Sequence, residues 1–106
     1  MNDLLEFIYV LKIEDKYLNK KNWTDKEDII INEHFDKLLE LKEEGKLILA
    51  GRTQTWDKNS FGIVILNVSS EAEAMQIMEN DPAVIAKVLK AELYPYKVAI
   101  MMDTIT

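Results

Sequence analysis

The period of the apolar positions changes several times along the chain, and the changes mark out its elements. Residues 4–13, Leu-Leu-Glu-Phe-Ile-Tyr-Val-Leu-Lys-Ile, are dense in branched and aromatic side chains and predict a strand. Residues 14–23 turn polar, with Lys16, Lys20 and Lys21 around Tyr17 and Trp23, and predict a long loop. Thr24 followed by Glu27 is a capping box, in which a hydroxyl and a carboxylate reciprocally satisfy free N–H groups at a helix start. On a 3.6-residue period Ile31, Phe35, Leu38 and Leu41 then share one face, and Gly45 is placed to end the helix. Residues 46–53 predict a short strand, and the polar segment 54–60 a hairpin loop into a third strand over 61–68. Ser70 and Glu73 form a second capping box, opening a helix that carries Ala74, Ile77 and Met78.

Asn80-Asp81-Pro82 breaks that helix, because a residue preceding proline disfavours helical geometry. Residues 83–89 predict a short helical segment and residues 91–102 a last strand. Pro95 has no N–H to give a ladder, so that strand belongs at a sheet edge, or Pro95 at its irregular end. The order β-α-β-β-α-β predicts one α+β domain over residues 1–106, ferredoxin-like, with two helices on one face of an antiparallel sheet.

A sheet covered on one face alternates apolar and polar residues. The third strand does not: Phe61, Ile63 and Ile65 occupy one face, and Val64, Leu66 and Val68 the other. The first strand sets Phe7, Tyr9 and Leu11 against Ile8 and Val10. A second cover is required, and in a chain of 106 residues another copy of itself, sheet against sheet, supplies it. A homodimer is expected.

Composition narrows the function classes. Thirteen basic residues against 19 acidic ones give a net charge of −6, which argues against nucleic acid or an anionic membrane as the main partner. A small anion responds to local charge and remains compatible. Without cysteine there is no disulfide framework, thiolate nucleophile or cysteine metal site. The start Met-Asn-Asp-Leu-Leu-Glu lacks the basic residues of a signal peptide, and no apolar run reaches membrane length, so a cytoplasmic location is expected. Phe61-Gly62-Ile63-Val64 has a superficial likeness to an RNA-recognition signature, but lacks its second stacking aromatic and leading basic residue. Serine–histidine elbows, glycine-rich phosphate loops and cysteine–histidine clusters are all missing.

His34 is the one histidine of the chain and the one side chain whose ordinary pKa lies near neutrality. It shares the apolar helix face with Leu38 and Leu41, and so points toward the sheet. Read from the residues alone, it is more often a partly buried side chain bonded to the backbone than a functional one. Asp81 has a similar second reading as a cap for the following turn. Arg52, after Ala50-Gly51, suits a substrate carboxylate bidentately or pairs with the acidic surface. Tyr9, Trp23 and Trp56 are candidates to wall a pocket, or core and loop anchors, and the loop carrying Trp23 is long enough to form a lid.

Taken in order, the helix segment Asn32-Glu-His-Phe through Leu-Ala-Gly51, then Phe61-Gly-Ile-Val-Ile, Ser70-Glu-Ala-Glu-Ala-Met and Asn80-Asp81-Pro82, resemble the YciI-like family. The resemblance covers most of residues 4–100 and implies a dimeric α/β barrel. It also implies that His34 and Asp81 form a His–Asp dyad in a pocket; Arg52, Tyr9 and Trp23, from their residue types and positions, are the expected substrate-binding residues beside it. A carboxylate on one imidazole nitrogen fixes the tautomer and leaves the other nitrogen to move a proton. The activity so implied is cofactor-independent lyase or isomerase chemistry on a small carboxylic acid or lactone. The alternative is a non-catalytic dimeric module that binds a small metabolite or assists a partner protein.

Overall fold

The computed structural model describes residues 4–103. Strand β1 runs over Leu5–Ile13, helix α1 over Asp25–Glu43, β2 over Leu47–Arg52, β3 over Gly62–Val68, α2 over Glu71–Glu79, α3 over Pro82–Ile85 and β4 over Leu89–Pro95. The four strands form one antiparallel sheet in the order β2-β3-β1-β4, with the helices on one face. This is the ferredoxin-like α+β fold expected.

The local signals explain the boundaries. Thr24 and Glu27 complete the capping box of α1 in both directions. Gly45 follows α1 at φ +76°, a left-handed conformation that glycine adopts without steric cost. At α2, Ser70 caps the Glu73 N–H, but the Glu73 carboxylate reaches past Ser70 to the N–H and hydroxyl of Ser69. The second box is therefore half formed, and Glu73 turns its other oxygen to Lys46 Nζ at 3.0 Å. Residues 14–23 are a loop shaped by two 3-10 turns, Asp15–Leu18 and Lys20–Asn22.

Two spans differ from expectation. The helical segment after Pro82 is a single turn, and its residue Leu89 already pairs with Ile13 as the first of β4. The last strand closes at Pro95 rather than running to 102, because proline ends the ladder on this edge strand. Residues 96–103 continue without regular structure.

The register assigns the faces. Phe7, Tyr9 and Leu11 align with Leu66, Val64 and Gly62, and the side chains of this face meet Leu38, Leu41, Ala74 and Met78 in the core. Ile8 and Val10 align with Ile65 and Ile63 on the opposite face. There Ile8, Val10 and Ile63 are half-buried, and Ile65 is buried by its neighbours. The four-residue apolar stripe predicted on α1 holds for Leu38 and Leu41, but Phe35 is 48 % exposed. His34, Leu38 and Leu41 take the core-facing line instead, and Phe35 sits one step round the helix.

Candidate active site

Three elements converge behind α1. Tyr9 comes from the middle of β1, His34 from the middle of α1, and Asp81 from the step between α2 and α3. Proline at 82 holds Asp81 in extended backbone as the N-cap of α3, where its Oδ1 accepts the Ala83 N–H at 3.0 Å. The same carboxylate accepts the Tyr9 hydroxyl at Oδ2, 2.9 Å. His34 Nδ1 lies 2.7 Å from Oδ1 and 2.9 Å from Oδ2. Asp81 is 1 % exposed and His34 6 %.

The hydrogen-bond network assigns the histidine tautomer. Asp81 accepts from a hydroxyl and a backbone amide, so it also accepts from His34, and Nδ1 carries the proton. In the neutral ring Nε2 is then the acceptor. Nε2 has no hydrogen bond among the described residues, and no fully buried side-chain polar atom among them lacks a partner, so Nε2 is not sealed from solvent. Burial, followed by the charge of Asp81 and the hydrogen bond to it, pushes the Tyr9 hydroxyl far above the usual tyrosine range. Tyr9 stays a neutral donor.

His34 forms part of the wall of a cavity of about 670 Å³ between α1 and the sheet, lined from β2 and β3 and also by Leu11 and Ile13 of β1 and Leu89 of β4. Its lining is mostly aliphatic and aromatic, with Trp23, Trp56, Phe35 and Phe61 among the rings. Glycine 62 keeps the floor open: a Cβ there would lie 3.2 Å from the Gly51 carbonyl, between Arg52 and Leu11. Arg52 is aligned with Gly62 on the helix-facing side, lines the cavity and is exposed. Its recorded bond is from Nη1 to the Thr53 carbonyl at 3.3 Å, and no carboxylate among the described residues pairs with it. Arg52 is therefore not paired with the acidic surface.

The loop predicted as a possible lid is tied down. Trp56 Nε1 donates to the Tyr17 carbonyl at 2.9 Å, and Trp23 Nε1 to Asp28 at 2.7 Å. Trp23 meets the rings of both Tyr17 and Trp56 edge to face, at 5.4 and 5.2 Å. Tyr17 also donates to Glu27 at 2.7 Å, joining the loop to the capping box. Trp23 and Trp56 thus form a fixed wall.

Of the residues singled out in the sequence, His34, Arg52, Trp23 and Trp56 line the cavity, and Asp81 backs His34. Tyr9 corrects its assignment: it is fully buried, outside the lining, and holds Asp81 from behind. Sequence reasoning missed Lys42, Phe35 and Leu39 as lining. Their signal was the spacing 35, 39, 42, a second helical stripe beside 34, 38, 41. Among the described residues no cluster of three or more histidine, cysteine or acidic side chains is arranged to hold a metal. No helix among them is long and apolar enough to cross a membrane.

Residues 7–97 match the family described as the YCII-related domain. The chain belongs to this family. No curated protein matches the chain. Among solved structures, the YCII-domain chain is similar to 5-chloro-2-hydroxyhydroquinone dehydrochlorinase (TftG) from Burkholderia phenoliruptrix AC1100, solved in complex with 2,5-dihydroxybenzoquinone. The TM-score is 0.59 and the identity 19 %, over 88 % of this chain and 94 % of that one. At that identity the likeness is one of fold. It shows the same framework of sheet and helices.

Proposed function

We propose that this YCII-domain protein is a cofactor-independent acid/base enzyme of lyase or isomerase type, acting on a small carboxylic acid or lactone. The observation that carries the reading is the placement of His34. Asp81 holds Nδ1 at 2.7 Å, and His34 lines an apolar cavity. A binding module needs shape and a polar anchor, but has no use for an imidazole oriented by a buried carboxylate. In the proposed cycle Nε2 removes a proton from a carbon next to the substrate's carbonyl or ring. It then returns that proton at another position, or the substrate expels a leaving group. Asp81 stabilises the imidazolium formed between the two steps. Arg52 takes the substrate's carboxylate, and Trp23 and Trp56 wall the ring or chain. The similar fold of the structure described as a dehydrochlorinase supports this reading.

The functional unit we infer is a homodimer joined through the sheet face of Ile8, Val10 and Ile63, which the helices leave uncovered. The test is a screen of the parent and His34→Gln against small unsaturated acids, lactones and halogenated hydroquinones, followed by proton exchange from solvent deuterium. Exchange or turnover by the parent, and its loss in His34→Gln, supports the enzyme. Tight binding of such an acid with equal exchange in both proteins, at the background rate, rejects it in favour of a binding module.

A further inference from the structure

The cavity lining separates charges by sign. The chain holds 19 acidic and 13 basic residues, yet no aspartate or glutamate lines the cavity, whereas Lys42 and Arg52 both do. Neither cation has an acidic partner among the described residues, where the ion pairs involve His34, Lys37, Lys46 and Lys90 instead. Two exposed cations on an otherwise apolar and aromatic wall set up a local field opposite in sign to the net charge of −6.

The two cations stand at opposite ends. Where α1 finishes, the Lys46 N–H donates to the Leu41 carbonyl at 2.9 Å and β2 starts at once from Leu47, so Lys42 borders the start of β2. At the other end Trp23, just before α1, meets the ring of Trp56, just beyond β2, at 5.2 Å. Strand β2 therefore runs back along α1, and its last residue, Arg52, lies level with the N-terminal half of the helix. Ile31 to Lys42, both in the lining, spans about 16 Å at the helical rise, and Leu47 to Arg52 about 15 Å at the strand rise. His34 lies about 12 Å along the helix from Lys42, in the half of the cavity that Arg52 borders.

We propose that the cavity takes an elongated dicarboxylate, with one carboxylate on Arg52, the other on Lys42, and an apolar spacer along Leu38, Leu39 and Leu49. Lys42 is then a specificity-determining residue, and the carbon that reacts is the one beside the Arg52 carboxylate, where His34 lies. A cavity of about 670 Å³ is of the size that encloses most of a drug-sized ligand, more than a short acid fills. A monoacid leaves one of the two cations without a counter-charge. Both cations are carried on long side chains, so the ligand is shorter than the separation of the backbones that bear them. The guanidinium fixes one carboxylate bidentately, while the ammonium acts as a point charge that tolerates some variation in length. The part given to His34 rests on the acid/base reading; the two-ended binding rests on the lining alone.

The test is calorimetry on the full chain with straight-chain α,ω-diacids of increasing length, each beside its monomethyl ester. The expected result is an optimum length at which the diacid binds about fivefold more tightly than its half ester, the value of an ion pair open to water. Added salt should shrink that preference. Lys42→Gln should abolish it while leaving the half ester's affinity unchanged, and Lys42→Glu should invert it. Lys42 is exposed, so neither substitution disturbs the core. Diacid and half ester binding equally at every length, no member of the series binding, or a preference retained in Lys42→Gln overturns the inference. Proton exchange reads the enzyme separately. A parent that prefers diacids but exchanges no proton keeps the two-ended site and loses the enzyme reading. A parent that exchanges protons of monoacids without the preference loses the two-ended site alone.

Discussion

The hydroxyl of Tyr9 donates to Asp81 Oδ2 at 2.9 Å from a position with no solvent exposure. This bond gives the buried carboxylate a second side-chain donor, on the oxygen that His34 Nδ1 also approaches at 2.9 Å. Removing one donor to a charged group typically costs about 1.5–3 kcal/mol. Tyr9→Phe keeps the ring, and should lower stability by about that amount in urea unfolding. A change under about 0.5 kcal/mol, the range of neutral surface substitutions, would show that the bond contributes nothing. The direction with pH also follows. The folded-state pKa of Tyr9 is raised above its unfolded value near 10, so its contribution is complete below pH 10 and lost as pH rises beyond it. Alkaline destabilisation should therefore be shallower in Tyr9→Phe than in the parent.

Asp81 serves three donors from three elements, and its replacement should show each loss. Asp81→Ala leaves the His34 and Tyr9 donors without their partner and uncaps α3. Breaking a buried pair of this kind costs about 3–5 kcal/mol. Asp81→Asn keeps the shape and an acceptor oxygen, so it should retain more of the fold. Nitrogen-15 NMR of the single imidazole should show one tautomer, with the proton on Nδ1, in the parent and a mixture in Asp81→Asn. A single unchanged tautomer in the variant would mean that the carboxylate does not set it.

Arg52 lines the cavity without a carboxylate partner, which predicts selectivity for anions. For a carboxylic acid found to bind, Arg52→Gln should weaken binding about 10- to 100-fold, the value of a charge-assisted bond of about 1.5–3 kcal/mol. The matching amide or ester should lose little. Equal losses for acid and amide, measured by calorimetry, would place the anion contact elsewhere.

The face carrying Val10 and Ile63 predicts the assembly. Val10→Lys places a charge at the centre of the proposed sheet-to-sheet contact, where burial without a partner costs several kcal/mol. Sedimentation should show a dimeric parent and a variant whose dimer is weaker by 100-fold or more. Unaltered association would move the interface to another face.

The sequence carried most of this framework because local chemistry dictated it. The Thr24–Glu27 box, Gly45 and Asp81-Pro82 each fix a boundary through one or two residues, and the strand patterns give the two faces. Long-range geometry was less legible. Tyr9 reads as one more aromatic in an apolar strand, and its bond to a residue 72 positions away depends on how β1 meets the α2–α3 step. Glu73 was predicted to complete a box, but a two-point grip on Ser69 and the ammonium of Lys46 from the α1–β2 connection outcompetes it. Phe35 misled because a helix packed beside a cavity has apolar residues on two adjacent stripes, and periodicity alone does not say which one meets the core.

Two helix-start carboxylates set the behaviour in acid. Hydrogen bonds from the Thr24 hydroxyl, then Tyr17, then the Thr24 backbone hold Glu27 at about 2, against an ordinary 4.5. The Ser69 backbone N–H, then Lys46, then the Ser69 hydroxyl hold Glu73 at about 2. Both folded-state values are depressed, so the unfolded chain takes up protons first as pH falls. The stabilisation from each is complete above pH 4.5 and disappears progressively as pH drops toward 2. Glu27 joins α1 to the Tyr17–Trp23 loop, so its protonation should loosen the Trp wall of the cavity along with the helix start. Thermal unfolding followed by tryptophan fluorescence should show a melting temperature that falls between pH 4.5 and 2 in the parent. In Glu27→Gln it should start lower at pH 6 and fall less across the same window. Parallel curves for the two proteins would mean that Glu27 does not couple the loop to protonation.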